Sequence, residues 1–396
     1  MPLNLIFADD IHRVDLFPLA LTRPVADIRL GILTIRQKWE KRLGMLSSTL
    51  SQDYLSLKYP LRWEEDNLVI NGAFIPDDAL ITACMDLSPD EALISEERII
   101  VRRYGRTLPT DILLSGEGAR LLQYDRPVEM LKFPWDIFSM NGSGIQQDFL
   151  LITSGRKGTP LPSGNLQTGR HPLFIEEGAR VNASIFNTDD GPIYIGQNAE
   201  VMEGCMVRGP FVLCDHAVLK MGTKVYGPST VGPYCKVGGE INNVVFLGYA
   251  NKAHDGFMGN AVIGEWCNIG ADTNNSNLKN TYDLVKMWSY RKEGFINTGL
   301  QFCGLIMGDH SKCGINTMFN TGTVVGVSCN VFGPGFQRNF IPCFSWGGVH
   351  GFQQYDLVKA MQVAASVFER RGMKFDEGDR TIFEHLHTNA MEMFRK

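Results

Sequence analysis

The chain has 396 residues, a formal net charge of −5, 44% hydrophobic residues and 20% charged residues. That composition excludes a disordered chain, and the lack of a basic excess excludes binding to nucleic acid or an anionic membrane by bulk charge. No apolar run reaches the ~18 residues that span a bilayer, so no membrane partner is expected, and the length suggests two or three domains.

The opening MPLNLIFADD has no basic segment ahead of a long apolar core. It reads as a first β-strand rather than a leader, and the expected location is cytoplasmic. LNLIF and NLVING read as buried strands, and Ile32 to Leu43 as an amphipathic helix. Residues 1–152 are thus expected to form a mixed α/β domain. The segment 153–172, TSGRKGTPLPSGNLQTGRHP, is rich in Gly, Pro, Ser and Thr and reads as a linker.

The next stretch, residues 173–345, has a different period. The start lies near Ile175 and Val181, and an interruption, NTDDGP, follows. Ile195, Val201, Val207, Leu213, Leu219, Val225, Val231 and Val237 then stand six residues apart without a break. Phe257, Ile263 and Ile269 continue the beat, and Met307, Cys313, Phe319, Val325 and Val331 repeat it. Neither a helix nor an ordinary strand holds an aliphatic position to a period of six. This is a hexapeptide repeat, which predicts a parallel β-helix whose coils each consist of three hexapeptides. Residues 274–302 lose the pattern and are expected to form a loop leaving the coil, and such loops in compact domains are often functional. Over 346–396, YDLVKAMQVAASVFERRG and DRTIFEHLHTNAMEMF predict two helices that cap the open coil end.

Nine cysteines are present, with no CxxC pair. Cys205, Cys235, Cys267 and Cys329 each fall four residues after a repeat anchor, where Ala199, Ala217, Thr223 and Ser229 also occur. A position that takes small side chains explains them as small hydrophobes, and no metal centre is expected.

Chemistry is expected where the repeat breaks. His254 lies between Lys252 and Asp255 after the beat fails at Asn243. A residue that breaks the rule at a coil corner points outward, and His is suited to take a proton near neutral pH. Asn268, Asn274, Asn275 and Asn277 follow. Their amides suit sugar hydroxyls, and they equally suit left-handed turns.

Residues 190–335 resemble the acetyltransferase domain of the bifunctional N-acetylglucosamine-1-phosphate uridyltransferase/glucosamine-1-phosphate acetyltransferase family. That family carries a pattern like K-x-x-H-x-x-Y-x-G-D followed by N-I-G-A-G-T. Here the matching residues are Lys252, His254, Phe257, Gly259 and Asn260, then Asn268 to Thr273, then Asn277. The resemblance implies a left-handed coil, a homotrimer with sites at subunit contacts, and acetyl transfer from acetyl-CoA to an amino sugar phosphate or a nucleotide amino sugar. It implies His254 as the general base, Asn277 as its orienting partner, and Asn268 and Asn275 among the sugar contacts. Gly270, Ala271, Gly314 and Gly326 would lie along the acetyl-CoA arm. The family's tyrosine is Phe257 here, and its phosphate-holding Arg and Lys fall at Tyr226 and Asn243. Lys224, Lys252 and Lys279 are the remaining cations for the phosphate.

The family's other half is a sugar nucleotidyltransferase with a Gly-rich phosphate loop. Pro18-Leu19 and Leu21-Thr22-Arg23-Pro24 resemble the end of that loop, but its Gly-x-Gly part is missing. Asn71-Gly72-Ala73 places Ala73 where a Mg²⁺ carboxylate is expected, with Asp77 and Asp78 nearby. The chain is similar to a divergent, sugar nucleotidyltransferase-like branch, which implies Mg²⁺ only if this domain is active. Arg23, Arg29 and Lys38 are its candidates for holding a phosphorylated ligand. The expected function is therefore a CoA-dependent sugar acetyltransferase. The rivals are a sugar-1-phosphate nucleotidyltransferase whose coil serves only to oligomerise, and a non-catalytic sugar-nucleotide-binding regulatory protein.

Overall fold

A computed structural model describes residues 3–105, 114 and 116–395. Its N-terminal part is a six-stranded sheet in the order Ser47–Leu50, Asn4–Ala8, Asn67–Asn71, Arg98–Tyr104, Glu91–Ser95, Arg120–Gln123. Asn4–Ala8 runs parallel to both of its neighbours and is buried along its whole length. A strand covered on both faces needs a continuous apolar run, and LNLIF supplies it. Helix α1 (Ile35–Leu43) opens with a capping box between Thr34 and Gln37 and closes at Gly44 in the left-handed region. It starts later than the expected Ile32. Arg29–Leu30 pairs with Leu33–Thr34 around Gly31, and the amides of Ile32 and Leu33 donate to Asp148. Helix α2 (Asp78–Met85) is capped by Asp77, and α3 (Pro134–Ser139) and α4 (Asn141–Thr153) follow the sheet.

The remainder is a parallel β-solenoid of about 10 turns closed by two helices. Each turn contributes a short strand to three faces. On the first face lie Leu173–Ile175, Ile193–Ile195, Phe211–Leu213 and Ser229–Val231. On the second lie Arg180–Val181, Glu200–Val201, Val218–Leu219 and Lys236–Val237. On the third lie Ile185–Asn187, Met206–Arg208 and Lys224–Tyr226. The register aligns Ile195 with Leu213, Val201 with Leu219 and Val207 with Val225, so the six-residue ladder fills the coil interior. Full burial of each such side chain contributes about 1.5–3 kcal/mol. The nine cysteines are free and buried, with those of the repeat in the interior as expected.

Leu166–Thr168 already pairs with Ile185–Asn187, so the segment expected as a linker carries the first strand of the coil. The expected loop 274–302 also takes defined structure. Asn274–Asn275 continues the third face beside Met318–Phe319. Lys286–Ser289 and Gly294–Asn297 then form an antiparallel hairpin, with Met287 buried in the core shared with the N-terminal part. The pattern was lost because this hairpin packs on the domain interface rather than into the coil.

The first face is covered by the N-terminal part. Tyr194 and Val212 pack with Ile145 and Phe149, and Val245, Val262, Ile306 and Val324 join the core of the sheet domain. Helices α5 (Leu357–Glu369) and α6 (Glu377–Arg395) cover the later turns, with Phe368 and Phe383 buried. Among the described residues no helix is long and apolar enough to cross a membrane.

Candidate functional site

The three corners of the coil differ in what covers them. Between the first and second faces, successive turns place His216, Tyr234, Tyr249, Trp266 and His310 in left-handed conformations. Their rings stack turn upon turn, and Phe368 of α5 lies on Trp266 at 4.2 Å. Burial holds the His310 imidazole well below its ordinary range, so it remains neutral.

Between the third and first faces the corner carries a ladder of asparagines. Asn277 Nδ2 donates to Asn260 Oδ1 at 2.8 Å. Asn260 donates in turn to Asn243, whose amide nitrogen donates to the carbonyls of Phe138 in α3 and of Pro228. Positive φ at Asn243 and Asn260 explains why this corner uses Asn.

The corner between the second and third faces is open. It forms a cleft of about 560 Å³, lined by Lys220, Gly238, His254, Asp255 and Asp272 among others. His254 is exposed, and its imidazole forms no hydrogen bond or ion pair with any described residue. Its position follows from the shortened coil. Eighteen residues separate Leu219 from Val237, but only fifteen separate Val237 from its partner Lys252.

Lys252 therefore occupies an interior ladder position, between Val237 and the level of Ile269. It is 1% exposed, and its Nζ donates to the carbonyls of His254 at 2.8 Å and Gly238 at 3.1 Å. Burial pushes its pKa down to about 8, against the opposing pull of Asp255 and Asp272. The expectation that Lys252 contacts substrate is corrected: its ammonium is inside the coil, pinning the His254 corner from beneath.

Other expectations are corrected on similar grounds. Within one chain Asn277 stands at a different corner from His254. The strand Phe257–Gly259 crosses the third face between the two corners, and the Asn277 amide is committed to its ladder. Asn275 is 1% exposed and bonds the backbone of Gly259 through both ends of its amide, so it faces the interior and not a sugar. Gly270 packs against Gly314, where an added Cβ would lie 2.3 Å from a backbone atom. Gly326 sits on the aromatic corner against Cys343, away from Gly270 and Gly314. Gly270 and Gly326 leave no room for a Cβ between stacked turns, whereas Gly314 does, and Ala271 lines the His254 cleft.

Asn268 is exposed on the second face, one turn above Asn251. Phe257, half-buried, points outward on the third face next to the open corner, whereas Tyr226, exposed, stands at the other end of that face, level with Asn242 and beside the asparagine corner. Lys279 donates to the Leu284 carbonyl at 3.0 Å, beyond the asparagine corner. Lys220, Gly238 and Asp272 were not singled out from sequence. Ladder arithmetic finds them, because Gly238 and Asp272 stand one turn, 16 and 18 residues, from His254, and Lys220 stands two turns, 34 residues, before it.

The N-terminal phosphate candidates divide. Arg23 is buried in a cluster with Asp309, Glu265 and the Thr22 hydroxyl, which joins the sheet domain to the coil. Lys38 is buried against Asp148 at 2.5 Å. Both are committed to internal carboxylates, which corrects the expectation that they face a ligand. Arg29 lines an interdomain cleft.

The carboxylates near the strand ends do not fit a Mg²⁺ ion. Asp9 is buried and taken by Arg13, Ser51 and the Val25 amide. Asp10 caps a helical turn and accepts from Asn71, Asp77 caps α2, and Ala73 offers no ligand. No cluster of three or more potential ligands occurs among the described residues. The crevice beyond the strand ends is roofed by α6, where His385 stacks on Tyr54 at 3.9 Å.

Residues 5–157 match a family described as sugar nucleotidyl transferase. A search of curated proteins finds no match. Among solved structures, the polySia-specific acetyltransferase NeuO is 14% identical, covering 48% of this chain and 82% of its own, with a TM-score of 0.25. The polysialic acid O-acetyltransferase OatWY is 12% identical, covering 48% and 88%, with a TM-score of 0.26.

Proposed function

We propose that the chain is a sugar acetyltransferase that takes its acetyl group from a CoA thioester and uses His254 as general base. The observation that carries this reading is that one corner of the coil is open while the other two are covered, and that the open corner presents an exposed, unpartnered imidazole to a large cleft. The acceptor is the amino group of a sugar phosphate or a nucleotide amino sugar. His254 accepts a proton as the amine attacks the thioester carbonyl. The C–N bond forms, the C–S bond breaks, and the proton passes to the departing thiolate, giving free CoA. Asp255 and Asp272 at the cleft draw in the cationic amino end of such an acceptor, which releases one proton to solvent before the neutral amine attacks, and Lys220 also lines the cleft.

A homotrimer fits the same reading. The third face leaves Ile185, Met206, Tyr226 and Phe336 exposed, and a neighbouring copy seated there would supply the missing wall of the cleft. Incubating the protein with acetyl-CoA and a panel of amino sugar 1-phosphates and nucleotide amino sugars tests the proposal. The expected result is an N-acetylated sugar formed in step with free CoA, and no product across the panel would remove the reading.

The match of residues 5–157 favours a second reading, nucleotidyl transfer by the N-terminal part. Pyrophosphate release from a nucleoside triphosphate and a sugar 1-phosphate would support it. The committed strand-end carboxylates and the α6 roof speak against it.

A further inference from the structure

Three buried cations face carboxylates: Arg13 meets Asp9, Arg23 meets Asp309, and Lys38 meets Asp148. Lys252 instead meets carbonyls, and an amine can relieve that situation by releasing its proton. A guanidinium cannot. Arg29 is 8% exposed, yet its described partners are all uncharged. Its Nε donates to the Leu247 carbonyl at 3.2 Å, and its Nη1 donates to the Ile32 carbonyl and approaches Cys214 Sγ at 3.9 Å. Glu265 pulls on it only from beyond hydrogen-bond reach, so a buried guanidinium held by neutral acceptors remains costly, and an anion in direct contact would lower that cost.

Arg29 lines a cleft of about 340 Å³ between the sheet domain and the early turns of the coil. Gln37 and Lys41 of α1 form one side, and Arg156, Glu176 and Asp215 the other. Arg156 and Glu176 are committed to each other through two bonds of 2.9 and 2.6 Å, and Tyr194 also donates to Glu176. Asp215 accepts from the Gln197 amide at 2.9 Å. Lys41 is exposed and has no partner among the described residues. Arg29 and Lys41 are thus two cations without an ion pair to a carboxylate, both on the sheet-domain side of a cleft large enough for a small ligand, which Asp215 lines from the coil.

We infer that this cleft binds the phosphoryl group of a small phosphorylated molecule, with Arg29 as its anchor and Lys41 closing on it from the rim. Two cations match a phosphate dianion, and the planar guanidinium suits its oxygens. Asp215 and Pro233 place the cleft on the aromatic corner, whereas His254 occupies the open one, so the inference does not depend on acyl transfer.

Thermal unfolding of the full chain in inorganic phosphate, pyrophosphate, acetate and NaCl at matched ionic strength tests it. The expected result is a Tm rise of about 2 °C for each tenfold increase of pyrophosphate above its dissociation constant. Phosphate should act more weakly, and acetate and NaCl should give no rise. Arg29→Gln should abolish the rise. Lys41→Glu changes only an exposed side chain, so it carries the same test if Arg29→Gln does not fold, and it should cut the apparent affinity at least tenfold. No rise in the parent protein, an equal rise with acetate, or an unchanged rise in Lys41→Glu would overturn the inference.

Discussion

Replacing Lys252 by Met puts a side chain of similar length and no charge at the one lysine of the coil interior ladder. The parent lysine has a pKa near 8 in the folded chain, compared with 10.5 for the free side chain. That depression corresponds to about 3 kcal/mol of destabilisation while the group is charged in both states. The sign follows from proton counting. Below pH 8 folded and unfolded chains both hold the proton, and the whole penalty applies. Between pH 8 and 10.5 the folded chain has released it while the unfolded chain retains it, so stability rises with pH. Met removes the penalty but leaves the carbonyls of Gly238 and His254 without a donor, at about 1 kcal/mol each. At pH 7 Lys252→Met should therefore be more stable than the parent by about 1 kcal/mol. At pH 10 it should be less stable, because the parent gains about 2–3 kcal/mol over that range. Urea unfolding of both proteins at pH 7, 8, 9 and 10 measures this difference. A constant difference across the series would refute the placement of an ammonium inside the coil.

The remaining predictions concern the domain junction, the coil stacking and the exposed histidine. Asp309→Ala strips Arg23 of its closest carboxylate in a buried setting and should cost about 3–5 kcal/mol, seen as a lower Tm and faster proteolysis between the sheet domain and the coil. Gly270→Ala places a methyl group 2.3 Å from the Gly314 backbone and should cost more than about 2 kcal/mol by denaturant unfolding. A loss of acetyl-CoA affinity in a variant of unchanged stability would show instead that Gly270 serves the ligand. His254→Ala should leave stability within about 0.5 kcal/mol of the parent, because the side chain is exposed and unpartnered.

The coil was legible because its interior repeats one simple requirement. Val201, Leu219 and Val237 occupy one column, and any aliphatic side chain satisfies it. The same regularity hid Lys252 and Asn275. Both stand at interior positions, but their polar ends suggested ligand contact, and only the shortened turn reveals that they face inward. The amphipathic signal of α1 was correct in kind and early by three residues, since Asp148, more than a hundred residues away, holds the amides of Ile32 and Leu33 outside the helix. The partners of Arg23 and Lys38 were illegible for the same reason: Asp309 and Asp148 are remote in sequence, and no local pattern links them. His254 was found from the break in period. Asp272 and Lys220, which share its corner, become visible once the coil length is known.

Acyl transfer at the open corner of the coil is proposed to run through His254. Its most direct test is the turnover of His254→Ala with acetyl-CoA and the best acceptor from the panel, on protein whose Tm matches the parent. The expected result is a fall of about 100-fold or more in kcat with the folded state intact, as on losing a positioned general base. Unchanged turnover in that variant would contradict it.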